Sequence, residues 1–337
     1  MDWRRGYSAR YYLTIVDPQS WKDGEVIDIT DGSIQRTLDN LRESASITCR
    51  NYDETREKII RVWLDTIQEG SVSHTALFTG YSTTPSKSID GNKETRTLDC
   101  YSVLKPADDI YLDRGWYAAA KADGTSVIKS LLSVIGTPID ISEETDKNRI
   151  LKQAIIAEEG ETRLTMVEKI LEVIGWRLKL NGLGEISIIP FSKNPVASFD
   201  SIENDVLEPS ISVTYDWYSC PNVFRAVDGS DFFVYKDENP NSIFSIPGRG
   251  REVWAEETSC VLNDGETLKG YAKRRLEELQ QISTIISYDR RYDPIVYPTD
   301  VVSLDYPAQE IKGSYMVSSQ TITLGFNGRT SEEVVRI

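Results

Sequence analysis

In the first 105 residues the apolar positions recur every second residue, the period of strands with one buried face. A β-branched and aromatic run over 10–16 is closed by Asp17 and Pro18. Residues 25–30 alternate and reach Asp31-Gly32, a pair that suits a hairpin turn with 33–37 as the returning arm. Ala45, Ile47 and Cys49 share one face of 44–50, and Ile60, Val62, Leu64 and Thr66 share one side of 58–68. Runs at 75–81 and 94–103 complete six or seven strands with short connections and no helical stretch. That pattern is that of a small antiparallel barrel or sandwich.

After Pro106 the period changes. Apolar positions 127, 128, 131, 134 and 135 form one helical stripe, stopped by Gly136 and Pro138. A second helix is expected over 163–174, with Leu164, Val167, Ile170, Leu171 and Ile174 on its buried face, Thr162 as N-cap and Gly175 just past its end. Strands at 176–180 and 185–189, turning through Asn181-Gly182, make this a helix-then-hairpin unit. Strands resume at 211–215, 222–227 and 232–235. A third helix over 266–281 carries Leu268, Ala272, Leu276 and Leu279 inward, with Lys269, Lys273, Arg274, Glu277 and Glu278 as a solvated face. Runs at 301–304, 315–317, 320–324 and 333–337 end the chain in strands. The expected fold class is α+β, mainly β: a first β-barrel domain over 1–105 and an α+β middle domain over 106–205. A second β-barrel is assembled from 206–245 and 295–337, and 246–294 is a helical insertion joining the middle domain.

Composition narrows the function. The 337 residues include 38 basic and 53 acidic side chains, a net charge of −15, the reverse of what phosphate neutralisation asks of a nucleic-acid-binding domain. An acidic surface suits a self-associating protein that must stay soluble, or a conduit to which DNA must not adhere. No apolar run approaches the roughly 20 residues of a membrane span. The charged start of the chain, with no apolar stretch behind it, argues against a secretory leader, so folding in the cytoplasm is expected. Cys49, Cys100, Cys220 and Cys260 form no CxxC pair, which leaves them as small buried hydrophobes.

Candidate chemistry is sparse. His74 is the sole histidine, and no Gly-x-Ser-x-Gly elbow accompanies it. The acidic pairs Asp28/Asp31, Asp108/Asp109, Glu143/Glu144, Glu158/Glu159 and Glu256/Glu257 are read as surface charges rather than as glycosidase carboxylates. The stretch 237–242 lacks the glycine of a calcium loop and contains Pro240. Gly248-Arg249-Gly250-Arg251 lacks the Lys-Ser/Thr of a phosphate loop. No catalytic, cofactor-binding or metal-binding residue is therefore expected, and no enzyme activity.

Several stretches, taken in order along the chain, resemble the phage tail and baseplate hub family, which is related to the hub half of type VI secretion spikes. They are the strands at 44–48 and 59–62 leading to Leu77-Phe78-Thr79-Gly80-Tyr81, and the helix ending Gly175-Trp176 before a hairpin. The run Pro294-Ile295-Val296-Tyr297-Pro298-Thr299-Asp300-Val301-Val302-Ser303-Leu304 is similar to "P-x-h-x-x-G-D-x-V-x-h", h being apolar, with Thr299 in place of the usual glycine. Gly313-Ser314-Tyr315-Met316-Val317 is similar to the closing "G-x-Y-x-V" strand. The resemblance implies two related barrels and a homotrimer whose six barrels imitate the sixfold tail tube. Its implied partners are the tube protein, the central spike, the tape measure protein and other baseplate proteins, in a virion or phage-tail-like particle assembled in the bacterial cytoplasm. The alternatives are a carbohydrate- or receptor-binding tail module and a tail-tip peptidoglycan hydrolase. Contractile phage, flexible-tailed phage and bacteriocin-like particle remain open.

Overall fold

The computed structural model describes residues 6–38, 41–50, 52, 56–90, 93–144, 149–201, 207–258, 260, 262, 266–282, 284–292, 295–325 and 328–337. The charged start of the chain, the expected boundary at 205–206 and Pro294 lie outside these residues.

Six strands open the fold: β1 (Ser8–Val16), β2 (Asp23–Arg36), β3 (Glu43–Cys49), β4 (Ile59–Gln68), β5 (Ser71–Asp90) and β6 (Lys93–Ser102). They pair in the order β1-β4-β5-β6-β3-β2, and β2 returns to β1, so an all-antiparallel barrel closes. Leu13, Ile34, Ile47, Ile60, Leu77 and Leu98, one from each strand, fill its core. The expected inward faces of 44–50 and 58–68 are buried as read. The expected hairpin at Asp31-Gly32 is not formed: β2 runs straight through it. A Cβ on Gly32 would lie 2.6 Å from the Ser46 carbonyl oxygen. The missing side chain thus serves a close strand approach, next to a bulge opposite β3, and not a turn.

The middle segment contains α1 (Lys105–Asp108), β7 (Tyr117–Ala118), α2 (Gly124–Leu131), β8 (Ile139–Ile141), β9 (Ile155–Ile156), α3 (Arg163–Ile174), β10 (Trp176–Leu180) and β11 (Ile186–Pro190). α3 forms as its sequence dictates. Thr162 and Thr165 cap each other reciprocally at its start, and Gly175 ends it in the left-handed region at φ +69. All five expected stripe residues are buried, packed with Ile128 and Leu131 of α2 and with Trp176. α2 stops earlier than its stripe suggests and continues as a 3-10 turn over Leu132–Val134. The hairpin β10–β11, with β8 parallel to β11, forms a three-stranded sheet.

The remaining elements are β12 (Pro195–Asp200), β13 (Leu207–Tyr215), β14 (Val223–Asp228), β15 (Asp231–Lys236), α4 (Ile246–Arg249), β16 (Trp254–Thr258), α5 (Leu268–Ile282), β17 (Thr284–Arg290), β18 (Val301–Tyr306), β19 (Ile311–Leu324) and β20 (Thr330–Arg336). Six of them pair in the order β13-β17-β20-β19-β18-β12. This second sheet curls round one core to which Phe199 of β12 and Ile211 of β13, its two end strands, both contribute. Three segments differ from expectation. Residues 223–236 leave the second barrel and pair with β16 in a separate sheet, covered by α5 through Phe224, Ala226, Ala272 and Leu276. Residues 284–290, expected in the helical insertion, form the second barrel's β17, and 195–200 supply its β12. Local alternation fixes a hairpin but not the sheet it joins, since any apolar face of the right width accepts it.

The chain is α+β and mainly β, with one large sheet running through both barrels. At its centre the β10–β11 turn presses on β5, where Thr79 Oγ1 donates to the Gly182 carbonyl at 2.8 Å. A Cβ on Gly182 would fall 1.9 Å from the Ala76 carbonyl oxygen. Gly182→Ala should therefore lower the unfolding free energy by about 1–3 kcal/mol in urea titrations. Gly6→Ala, with nothing within 4 Å, should leave it unchanged.

Candidate functional site

The two barrels meet where β2 changes partners. Its first half, Asp23–Asp28, pairs with β1; its second half, Gly32–Arg36, pairs antiparallel with Leu324–Gln320 of β19. β19 divides its length in the same manner, between β18 and β2. Buried polar side chains cross this junction in a chain. Arg36 Nε lies 2.9 Å from Glu43 Oε1, and Arg36 Nη1 donates to Gln320 Oε1 at 2.8 Å. Gln320 Nε2 donates to Glu332 Oε1 at 2.6 Å, and Arg290 Nη2 reaches the same oxygen at 2.5 Å. The Leu77 carbonyl accepts from Arg36, the Val296 carbonyl from Gln320, and the Tyr297 ring stacks 4.4 Å from the Arg36 guanidinium. Burial pushes the Glu43 carboxyl up to about 7, a rise that Arg36 only partly offsets.

The middle segment fills the notch beside this junction. Lys179 of β10 lies 2.6 Å from Asp300, whose other oxygen accepts from the Tyr297 amide at 3.0 Å. Arg42 pairs with Glu168 of α3 at 2.6 Å. The motif residues Leu77, Val296, Tyr297, Thr299 and Asp300 thus converge here. Thr299 adopts φ +76, which explains the glycine expected at that place.

The barrels repeat one topology. Counting strands in chain order within each, the first joins the fourth, the fourth the fifth, the fifth the sixth, the sixth the third, and the third the second. Even the irregularities coincide: the fifth strand carries a bulge at Ser82/Thr84 in one barrel and at Val317/Ser319 in the other. The one inversion is β12, parallel to β18 where β1 is antiparallel to β4. Counted through the antiparallel ladders from β18, β13 then runs in the same direction as β12. The six residues 201–206 are too few for the crossover that parallel neighbours require, about a dozen residues or more. The β12–β13 seam therefore forms no ladder, and among the described residues β13 pairs only with β17.

The candidate chemical groups lie elsewhere and apart. His74, exposed on β5, contacts Asp65 at 2.7 Å. All four cysteines are buried and none forms a disulfide, and no cluster of three metal-ligating side chains occurs among the described residues. Asp28 pairs with Arg10, Asp109 with Lys105 and Glu256 with Arg225, while Glu257 accepts from Tyr271 and Arg275. The 237–242 stretch is a run of side-chain-to-backbone turns. Arg249 donates to the Cys220 and Trp217 carbonyls. Sequence reading missed the junction residues Glu43, Arg36, Gln320, Glu332 and Arg290. Their signal was present: each polar residue is in phase with the buried apolar positions of its own strand.

Three outcomes test the junction. Arg290→Met should cost about 3–5 kcal/mol by leaving Glu332 buried without its cation, and Glu332→Leu in the same chain should restore most of it. Thr299→Gly should raise stability by about 1 kcal/mol. Glu43 binds its proton more tightly folded than unfolded. Its contribution to stability is therefore complete below the ordinary value of 4.5 and is lost as pH rises through about 7. The unfolding free energy of the wild type minus that of Glu43→Gln should fall across that window, by a few kcal/mol at most, and then level off.

Comparison with known proteins gives a consistent fold. No family model matches the sequence, and no curated protein does. Among solved structures, the 43 kDa tail protein of prophage MuSo2 from Shewanella oneidensis has a TM-score of 0.69 at 16% identity, covering 98% of each chain. A tail protein from Neisseria meningitidis MC58 has a TM-score of 0.70 at 13% identity, over 98% of this chain and 97% of that one. An E. coli type VI secretion component, described as structurally similar to the T4 tail proteins gp27 and gp5, has a TM-score of 0.54 at 9% identity, over 92% of this chain and 74% of that one. The resemblance carried by the sequence motifs is thus matched in three dimensions, and the chain has the fold of these phage tail proteins and of the type VI secretion component.

Proposed function

We propose that the protein is a structural hub subunit of a phage tail or phage-tail-like particle, acting as a homotrimer that joins the sixfold tail tube to the threefold central spike. The observation that carries this reading is the duplicated barrel. One chain holds two barrels of the same strand order, so three chains present six similar wall segments to the tube while keeping threefold symmetry for the spike. The shared fold with phage tail proteins supports it. The net charge of −15 suits a channel that the genome and a tape measure protein must traverse without binding. Its place is the tail or baseplate, after assembly in the bacterial cytoplasm. The division into a first barrel, a middle domain and a second barrel drawn from distant segments belongs to the same proposal.

The function proposed is geometric and not enzymatic. The acidic pairs at 108–109 and 256–257 support this, since Asp109 pairs with Lys105 beside it, Glu256 with Arg225 of β14 and Glu257 with Arg275 of α5, each carboxylate being held by a basic partner. A second reading, carbohydrate or receptor binding, rests on exposed aromatics: Tyr218, Phe232 and Trp254 all face solvent.

Light scattering of the purified protein at micromolar concentration should give a trimer, and pull-downs with the tube and spike proteins of the same particle should capture both. A monomer that never joins the spike would overturn the hub reading. A peptidoglycan zymogram should stay uncleared; a clearing zone abolished by neutralising one acidic residue would overturn the non-enzymatic reading.

A further inference from the structure

The internal junction has an unfilled counterpart on the surface. Because the barrels share strand order and bulge positions, their ladders can be laid on one another residue by residue. Following the pairings from the fifth strand through the sixth and third to the second puts Gly32–Arg36 of β2 on residues 211–215 of β13. The fifth strands put Gln320–Leu324 of β19 on residues 85–89 of β5. In the first barrel β2 gives its outer edge to β19. In the second, the matching edge of β13 carries no ladder among the described residues, and β5 beyond Tyr81 pairs only with β6.

Burial tells the same story. Ile34 is 0% exposed and its counterpart Val213 40%; Leu324 is 1% exposed and its counterpart Ile89 65%; Arg36 is 1% exposed and its counterpart Tyr215 45%. Positions that are core at the internal junction are solvent-facing apolar side chains at the open one.

We infer that β13 of one copy adds antiparallel to β5 of a second copy, with Ile211 opposite Ile89, Ser212 opposite Ser88, Val213 opposite Lys87, Thr214 opposite Ser86 and Tyr215 opposite Pro85. This repeats between chains the pairing that Gly32–Arg36 and Leu324–Gln320 make within one. It rests on the ring-forming reading above and specifies its contact. The occupant is a second copy because the contact continues an interface the chain already makes with itself. It is also heterologous, the kind of contact that closes a ring. Lys87 takes the place of Ile322 and brings its own counter-charge, Glu94, at 2.7 Å. Pro85 offers no N–H, so this ladder is one bond poorer than the internal one. Tyr215 and Thr284 replace Arg36 and Glu43, so the contact lacks the buried ionic chain. It is therefore the more readily separated of the two.

Cysteine pairs test the register, because residues directly opposite in an antiparallel ladder sit within disulfide range. Ser88→Cys with Ser212→Cys, and separately Ser86→Cys with Thr214→Cys, should give interchain dimers and trimers on non-reducing gels after mild oxidation. The shifted pair Ser86→Cys with Ser212→Cys should not. All these positions are exposed, and circular dichroism confirms folding. Ile89→Asp should shift the trimer to monomer at least tenfold more readily on dilution. A trimer by light scattering with no in-register cross-link, with the shifted cross-link preferred, or with Ile89→Asp trimers as stable as wild type, overturns this contact and leaves the trimeric hub standing. A protein that stays monomeric at every concentration overturns both.

Discussion

Everything in this fold is arranged around one pair of strands that cannot satisfy two partners along their full length. β2 and β19 each run past the neighbour they begin with, and each would then present bare amide and carbonyl groups. They satisfy one another. The side chains beneath this exchange are Glu43, Arg36, Gln320, Glu332 and Arg290, all buried. Polar and charged groups so far from water are stable only when each keeps its partner. The chain of contacts therefore fixes the angle and register of the barrels more narrowly than apolar packing would, because a slip of one residue strands several charges at once.

The middle segment is explained by the same constraint. Two barrels sharing a short ladder leave a notch, and the β10–β11 hairpin fills it with a turn so close to β5 that only glycine fits at Gly182. Lys179 reaches Asp300 across the notch, and Asp300 in turn holds the bend before β18. The helices stand behind the hairpin and give it an apolar backing through α3 and Trp176. The separate β14–β15–β16 sheet under α5 has its own small core.

The inverted strand β12 separates two otherwise matching barrels. In the first barrel six antiparallel steps bring the ring back on itself; in the second the reversal makes the final step parallel, and the connection is too short to permit it. Closure leaves the first barrel with few free edges, whereas the second keeps two among the described residues, on β12 and β13, and an exposed strand edge is a liability unless it has a partner.

Much of this was legible in the sequence. Alternation located the strands of the first barrel and their inward faces, and the stripe, cap and glycine of α3 defined that helix to the residue, because these are local properties set by backbone geometry and side-chain period. Sequence also carried the likeness of its motifs to tail hubs, which the fold matches. It did not determine that Asp31-Gly32 is a crossing point and not a turn, since a glycine that frees φ and one that frees space are written with the same letter. It did not assign residues 195–200, 223–236 or 284–290 to their sheets, and it gave no role to Arg36, Glu43 or Arg290. A strand's partner is chosen by whatever face lies open beside it after the rest has folded. A buried charge is tolerable only where the fold brings polar partners to it, as it brings the Gln320 amide, 284 residues away in sequence, to Arg36. Those decisions belong to the tertiary structure, where distance along the chain no longer counts.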